Sequence, residues 1–504
     1  MNTPANAGIT AAMAGSSAAI TAAIAATRRA REPQDSDDAG NAGDTPVAQL
    51  EPTRARLRTA WQARKPDHAQ RRDDLRRLRA AFKARLDEMT AVVSEDFGGR
   101  STHETLIADG MTVLAEIDHL LKHLRGWMRP RRVGAGWRLW PARAQIRPEP
   151  VGVVGVIAPW NYPVNLALIP LATAIAAGNH VFLKPSEHTP RTSQWLRDLL
   201  ADAFPADRVA VALGDADVGA AFSALPFDHL LFTGSTAVGR KVMAAAAKNL
   251  TPVTLELGGK SPAIICADAD IDKAAARIAT GKWLNAGQTC IAPDYLLVQR
   301  PVRDDLLAAL RREVAARYAD GNARDYTRIV NDAQLQRLRG HLDDARSRGL
   351  QVETLASIDG DGLIPPTLVL DPGDDASVMG EEIFGPLLPV LSFDALDAAI
   401  ERINAGDRPL ALYVFARDKA SIERVLHDTL AGGVTVNDCL LHNAASNLPF
   451  GGIGASGMGA YHGKAGFDAM TKQLPVLWQS PLAATDLLKP PYRKIEGLLK
   501  LLLR

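Results

Sequence analysis

Three residues of this chain could together carry a covalent reaction at a carbonyl carbon. They are Cys290, at the end of Gly287-Gln288-Thr289-Cys290; Glu256, within Leu255-Glu256-Leu257-Gly258-Gly259-Lys260; and Asn161, within Pro159-Trp160-Asn161-Tyr162-Pro163. A thiol is a nucleophile, a carboxylate can take a proton from water, and a side-chain amide can donate to an oxyanion. Oxidation of an aldehyde to an acid needs these three and a hydride acceptor. Read alone, each has a plainer account: a small buried hydrophobe for Cys290, a strand-end carboxylate reaching water for Glu256, and turn chemistry for Asn161. Their combination favours chemistry.

The elements that must position these residues follow from the hydrophobic pattern. From about Ala48 to Met128 the chain reads as helical, and the Arg-rich stretch Arg71 to Arg85, interleaved with Leu75, Leu78 and Phe82, reads as an amphipathic surface helix more than an anion-binding patch. A β-rich stretch from Trp137 to Ala158 ends in the uniformly apolar run Val151 to Ile157, as expected of a strand buried on both faces. Strands at Val181 to Lys184, Val209 to Leu213 and His229 to Thr233 then alternate with helices at Arg191 to Phe204 and Val238 to Asn249, the rhythm of a doubly wound α/β domain. A second alternating block runs from Ser261 to about Gly433, with helices at Ile271 to Asn285, Arg303 to Asp320 and Asp332 to Arg348. Cys290 is thereby expected between a helix ending near Asn285 and a strand starting near Ile291. A helix C-terminus disfavours a thiolate, so its activation must come from elsewhere.

At 504 residues the chain exceeds one ordinary core, and two or three domains are expected. With 58 Lys and Arg against 57 Asp and Glu, nothing in the charge balance points to nucleic acid. The three cysteines, Cys266, Cys290 and Cys439, form no CxxC pair, which argues against a zinc site or disulfide framework and fits a reducing cytoplasm. Residues 1 to 45 read as a disordered Ala-rich extension without the features of a secretory signal. At the other end, residues 486 to 504 read as an amphipathic tail. Ile495, Leu498, Leu499, Leu502 and Leu503 would form its apolar face, beside basic Arg493, Lys494, Lys500 and Arg504. Such a tail either packs against protein or lies on an anionic membrane.

The chain resembles the aldehyde dehydrogenase superfamily from about Pro66 to about Leu477. The resemblance is carried by PWNYP (159 to 163), KPSE (184 to 187), FTGSTAVG (232 to 239), LELGGK (255 to 260), GQTC (287 to 290), EEIFGP (381 to 386) and LPFGGIGASGMGAYHGK (448 to 464). Threonine before the cysteine and the ending GMGAYHGK are similar to the class 3 branch, and VNDCLLHNAASNLPFGG (436 to 452) to its bacterial coniferyl aldehyde dehydrogenases. The resemblance implies an α/β fold of three parts. These are a variant Rossmann NAD(P)-binding domain (46 to 136 and 159 to 256), an α/β catalytic domain (257 to 433) and a small β bridging or oligomerisation element (137 to 158 and 434 to 485). It also implies a homodimer.

The same resemblance implies roles. Cys290 would form a thiohemiacetal and then a thioester; Asn161 and the Cys290 N–H would hold the oxyanion; Glu256 would activate the hydrolytic water. NAD, with NADP possible, would lie against Trp160, Gly234, Ser235 and Gly239, with Lys184 and Glu187 on the adenosine ribose, Glu382 on the nicotinamide ribose and Phe384 at the ring. By spacing alone the 232 to 239 segment is no GxGxxG, and a tight β-to-α turn would explain its glycines equally. Glu381 and Glu382 would otherwise read as a helix start. Tyr162 is either the wall of an aromatic substrate tunnel or a core aromatic. Activation of Cys290 falls to the charge of the bound nicotinamide or to Glu256. The substrate would be an aromatic or medium-chain aldehyde such as coniferaldehyde, with no metal. The alternatives are a coenzyme A-acylating enzyme, which commonly lacks the glutamate, and a non-catalytic binding protein of the same fold.

Overall fold

The computed structural model describes residues 43–318, 323–482 and 490–502, so the expectation of a disordered extension over 1 to 45 falls almost wholly outside the described residues. Residues Thr45–Arg504 cluster as one compact unit. Within it, a six-stranded sheet runs Gly457–Met458, Val253–Glu256, His229–Thr233, Val153–Ile157, His180–Lys184, Val209–Val211. All its pairings are parallel except that of the short Gly457–Met458 edge. The chain winds outward from Val153–Ile157 to Val209–Val211, then returns to His229–Thr233 on the other side. The C-terminal ends of those two adjacent strands are therefore a topological switch point, the place where α/β sheets bind ligands.

A seven-stranded sheet runs Gln351–Thr354, Thr367–Leu370, Leu387–Phe393, Tyr295–Gln299, Pro262–Ile265, Ala411–Phe415, Gly433–Val436. A separate antiparallel ribbon joins Arg131–Val133, Arg143–Pro150 and Thr471–Trp478, the last two in register from Thr471 opposite Pro150 to Trp478 opposite Arg143.

Strand pairing redraws the expected partition. The stretch 137 to 158, expected wholly in the bridging element, is split: Trp137–Leu139 is a 3-10 turn, Arg143–Pro150 joins the ribbon, and Val153–Ile157 is central to the six-stranded sheet. Its five residues are all buried, which only a strand covered on both faces can satisfy. The stretch 434 to 485 is shared among all three sheets, and Arg131–Val133, expected with the coenzyme domain, belongs to the ribbon. Helices fall near their expected places, at Pro190–Ala203, Thr236–Ala247, Ile271–Trp283, Arg303–Arg317 and Asp332–Ser347. The tail forms a 3-10 turn, Tyr492–Ile495, and a helix, Glu496–Leu502.

The Arg-rich helix His68–Ala84 is amphipathic as expected, burying Leu75, Leu78 and Phe82, but two of its charges also go inside. Arg71 donates to the carbonyls of Ala176 and Ala177 at 3.2 and 3.0 Å, closing the C-terminus of the fully buried helix Asn165–Ala177. Burial lowers its guanidinium to about 10. Asp74 pairs with Arg208 at 2.8 Å. Just past that helix, buried Asn179 accepts from the backbone N–H of Val151 and Gly152 at 2.9 and 3.0 Å and donates to the Met470 carbonyl at 2.9 Å. One side chain thus ties the six-stranded sheet to both long strands of the ribbon. Asn179→Ala should cost about 3 kcal/mol, because two donors and one acceptor lose buried partners, with a lower urea midpoint as the readout.

Candidate active site

A cavity of about 390 Å³ opens at the switch point. Pro159, Trp160 and Asn161 follow the strand Val153–Ile157, Gly234 to Ala237 follow His229–Thr233, and Glu256 ends Val253–Glu256. The facing wall supplies Cys290, Gln334, Arg337, Glu381, Glu382 and Phe384, with Phe450 and Tyr461 from the C-terminal loops. The cavity therefore collects Asn161, Glu256 and Cys290, and with them Trp160, Gly234, Ser235, Glu382 and Phe384.

The loop bearing Cys290 departs from its expected form. After the helix Ile271–Trp283 the backbone changes hand: Asn285, Ala286 and Gly287 have φ of 54°, 52° and 74°. A Cβ on Gly287 would lie 2.3 Å from the Gly385 carbonyl oxygen, so that position requires glycine. The left-handed turn is held by side chains. Asn285 Nδ2 donates to the carbonyls of Asn161 and Gln288 at 3.0 and 3.2 Å. Gln288 Nε2 donates to the carbonyls of Asn285 and Arg328, both at 3.0 Å, and Gln288 Oε1 accepts from Val330 N–H at 3.0 Å. The next strand starts at Tyr295 instead of near Ile291, because Ala292 N–H turns back to the Thr289 carbonyl. Cys290 thus follows a reversal and does not cap the preceding helix.

The amides of Cys290 and Ile291 act in favour of its thiolate, but burial, then Glu382 and Glu256, outweigh them and push the thiol up to about 12. Asn161 Nδ2 donates to the Gln288 carbonyl at 3.2 Å, which fixes the amide beside Cys290 and leaves its other hydrogen for the cavity. The Asn161 carbonyl accepts from Arg100 Nη1 at 2.8 Å. Arg100 is wholly buried, pairs with Asp109 at 3.3 Å and lies 4.9 Å from the Tyr162 ring centre. Tyr162, read as either tunnel wall or core, does not line this cavity; its hydroxyl meets Thr289 Oγ1 at 2.5 Å. It braces the Cys290 loop through Thr289.

Glu256 is buried and neither of its carboxyl oxygens has a hydrogen-bond partner among the described residues. Burial raises it well above the usual carboxylate range. Glu382 is raised to about 8, by burial first and by Asp294 next, and its Oε1 is also unpartnered.

On the coenzyme flank, Ser235 caps the helix Thr236–Ala247 by accepting from Val238 N–H at 3.4 Å, so that helix N-terminus faces the cavity. Phe384 meets Trp160 edge-on at 5.3 Å. Gly239 is off the cavity wall; a Cβ there would lie 2.5 Å from Leu257 Cδ2, so it serves close helix-to-strand packing. Lys184 and Glu187 are also off that wall, joined at 2.6 Å beyond the end of their strand. Burial opposes ionisation of Glu187, yet the Lys184 ammonium holds it below its ordinary value. An apolar-walled cleft with a helix N-terminus, an aromatic pair and an unpartnered buried carboxyl suits a dinucleotide.

Arg337, Gln334, Phe450, Tyr461, Arg100, Asn285 and Gln288 were not singled out from sequence. Phe450 and Tyr461 stand within the quoted LPFGG and GAYHGK segments, which is the one signal that pointed to them. Arg337 donates to the Ile383 carbonyl at 2.7 Å, fixing the segment that carries Glu382 and Phe384.

The family model for the aldehyde dehydrogenase family matches residues 24–475, and the chain belongs to that family. It is an NAD(P)-dependent enzyme that oxidises an aldehyde to the carboxylic acid. It is 49% identical over 452 residues to a "Probable coniferyl aldehyde dehydrogenase" of Pseudomonas aeruginosa, covering 89% of this chain and 94% of that protein. It is 46% identical over 442 residues to the coniferyl aldehyde dehydrogenase of a Pseudomonas species, covering 85% and 91%. Among solved structures it is similar to substrate-bound Staphylococcus aureus AldH, with a TM-score of 0.86, 37% identity and coverage of 90% and 99%. An indole-3-acetaldehyde dehydrogenase complexed with NAD+ matches with a TM-score of 0.80, 27% identity and coverage of 86% and 89%.

Because its thiol is raised in the free enzyme, Cys290 should react with iodoacetamide at a rate that climbs about tenfold per pH unit between about pH 7 and pH 10. A plateau below about pH 8 would show that the thiolate already predominates before any ligand binds.

Proposed function

We propose that Cys290 is the nucleophile, Glu256 the hydrolytic base and Asn161 the oxyanion donor, acting on an aromatic aldehyde such as coniferaldehyde. The observation that carries this reading is the meeting of the three on one cavity, with both Glu256 oxygens unpartnered. Cys290 Sγ adds to the aldehyde carbon, and the oxyanion is held by the Asn161 amide and the Cys290 N–H. Glu382, Phe384 and the helix behind Ser235 would hold the nicotinamide coenzyme, whose chemistry would be to accept the hydride. Cys290 is left as a thioester. Glu256, once ionised, takes a proton from the water that hydrolyses it. Burial holds the Glu256 carboxyl well above the usual carboxylate range, so this step should quicken as pH rises through it.

A carboxyl held ready in the cavity favours water over coenzyme A as acceptor. Coniferaldehyde rests on the names of the two Pseudomonas relatives and on a cavity walled by Trp160, Phe384, Phe450 and Tyr461, which suits a planar aromatic. We infer NAD as the preferred coenzyme, since the Glu187 carboxylate, kept ionised by Lys184, repels a 2′-phosphate; NADP use is the secondary reading. A homodimer and a cytoplasmic location are part of this reading. So is peripheral membrane contact through the tail, where Ile495 is buried and Leu499 is exposed.

Cys290→Ala should abolish NADH formation while NAD binding, followed by protein fluorescence, persists. Glu256→Gln should keep a burst of NADH near one per active subunit and then turn over slowly, because hydride transfer precedes hydrolysis. Loss of the burst would mean that Glu256 also activates the thiol. With coniferaldehyde, benzaldehyde and hexanal, NADH formation should be fastest for coniferaldehyde and unchanged by coenzyme A; acceleration by coenzyme A would favour the acylating reading.

A further inference from the structure

We propose that Glu104 is a positioning residue for the reaction, holding from outside the cavity the left-handed turn that presents Cys290. This rests on the reading of Cys290 as the nucleophile. Leu284, with φ of −55° and ψ of 132°, takes the chain out of the helix Ile271–Trp283, and Asn285 follows in the left-handed region. The Asn285 N–H thereby leaves the helical ladder within a buried residue, where a donor without an acceptor is costly. Its acceptor is Glu104 Oε2, at 3.3 Å. The same oxygen accepts from Thr327 Oγ1 at 2.6 Å. Thr327 is buried and precedes the Arg328 carbonyl and the Val330 N–H that hold Gln288. One carboxyl oxygen therefore grips the turn twice, directly at Asn285 and through Thr327 at the segment that fixes Gln288.

A short charged segment delivers Glu104 to that place. Ser101 caps the helix Thr102–Thr105 by accepting from the Glu104 N–H at 3.5 Å, and Thr105 Oγ1 donates to the Ser101 carbonyl at 3.0 Å. A π turn, Leu106–Met111, follows without a break. Such turns are rare inside helices and are frequent at functional sites, because the extra residue re-aims the side chains around it. Here Asp109 is turned inward, where it accepts from the Asn165 N–H at 2.8 Å and pairs with Arg100, which in turn donates to the Asn161 carbonyl. Residues 100 to 109 thus reach both sides of the candidate site, Arg100 at Asn161 and Glu104 at Asn285. None of them lines the cavity, so any effect on the reacting atoms passes through the residues they hold.

Steady-state kinetics and coenzyme binding on two variants of the full chain test the assignment. Glu104→Ala removes both bonds, whereas Glu104→Gln keeps an oxygen able to accept both. Glu104→Ala should lower kcat for aldehyde oxidation by about tenfold to a hundredfold, as a misplaced nucleophile does, while NAD affinity, followed by protein fluorescence, stays within about twofold of the parent. Glu104→Gln should restore kcat to within about threefold. A folded Glu104→Ala with parental kcat overturns the proposal. So does a Glu104→Gln as slow as Glu104→Ala, which would assign the effect to charge, and so does an equal loss of kcat and NAD affinity, which would assign it to general structure. If Glu104→Ala is not recovered folded, Thr327→Val takes its place: kcat should fall by about threefold or more with NAD affinity kept, and parental kcat overturns the proposal. Cys290→Ala measured alongside separates the two failures. A parental Glu104→Ala beside an inactive Cys290→Ala sinks the positioning role alone, whereas an active Cys290→Ala sinks the reading of the nucleophile and this inference with it.

Discussion

The left-handed turn at Asn285, Ala286 and Gly287, pinned to the carbonyl of Asn161, is the constraint on which the site depends. It joins the two halves of the proposed chemistry: Cys290, the proposed nucleophile, beside the seven-stranded sheet, and Asn161, the proposed oxyanion donor, beside the six-stranded one. Two non-glycine residues held left-handed cost roughly 1 kcal/mol each or more, and the Asn285 and Gln288 side chains return about 1 kcal/mol per hydrogen bond. Two of those bonds lie within the turn itself, one goes to Arg328, and one, to the Asn161 carbonyl, ties the turn to the other sheet. Arg100 reinforces the joint from behind, touching both Asn161 and the Tyr162 ring from within a buried ion pair.

Three acids of the cavity share one electrostatic logic. Cys290, Glu256 and Glu382 line one cavity, and burial raises all three; Glu382 and Glu256 raise the Cys290 thiol further, and Asp294 raises Glu382. Burial thus works against the Cys290 thiolate and against ionisation of both carboxyls in the free enzyme. Unpartnered buried carboxyl oxygens are costly in a core, and their persistence at Glu256 and Glu382 marks them as groups held for chemistry or for a ligand.

Much of this was legible because the motifs are local. PWNYP, LELGGK and GQTC each place one reactive group at the end of a strand or in a loop, and the apolar run before PWNYP announces a strand buried on both faces. The bounds of the three parts were not legible in the same way. A strand such as Val153–Ile157 has the same apolar composition whichever sheet it enters, and its membership is fixed by hydrogen bonds to His180–Lys184 and His229–Thr233, distant in sequence.

The sequence by itself determined the candidate reacting groups, the family and the alternation of strands and helices, because residue type, short spacing and hydrophobic period are all one-dimensional properties. Tertiary structure alone decided how Cys290 is presented, that Tyr162 braces Thr289 and does not line the cavity, and that Arg71 and Arg100 are buried. Each of those outcomes depends on a partner between 61 and 127 residues away, and an arginine or tyrosine carries no local mark of whether such a partner will reach it.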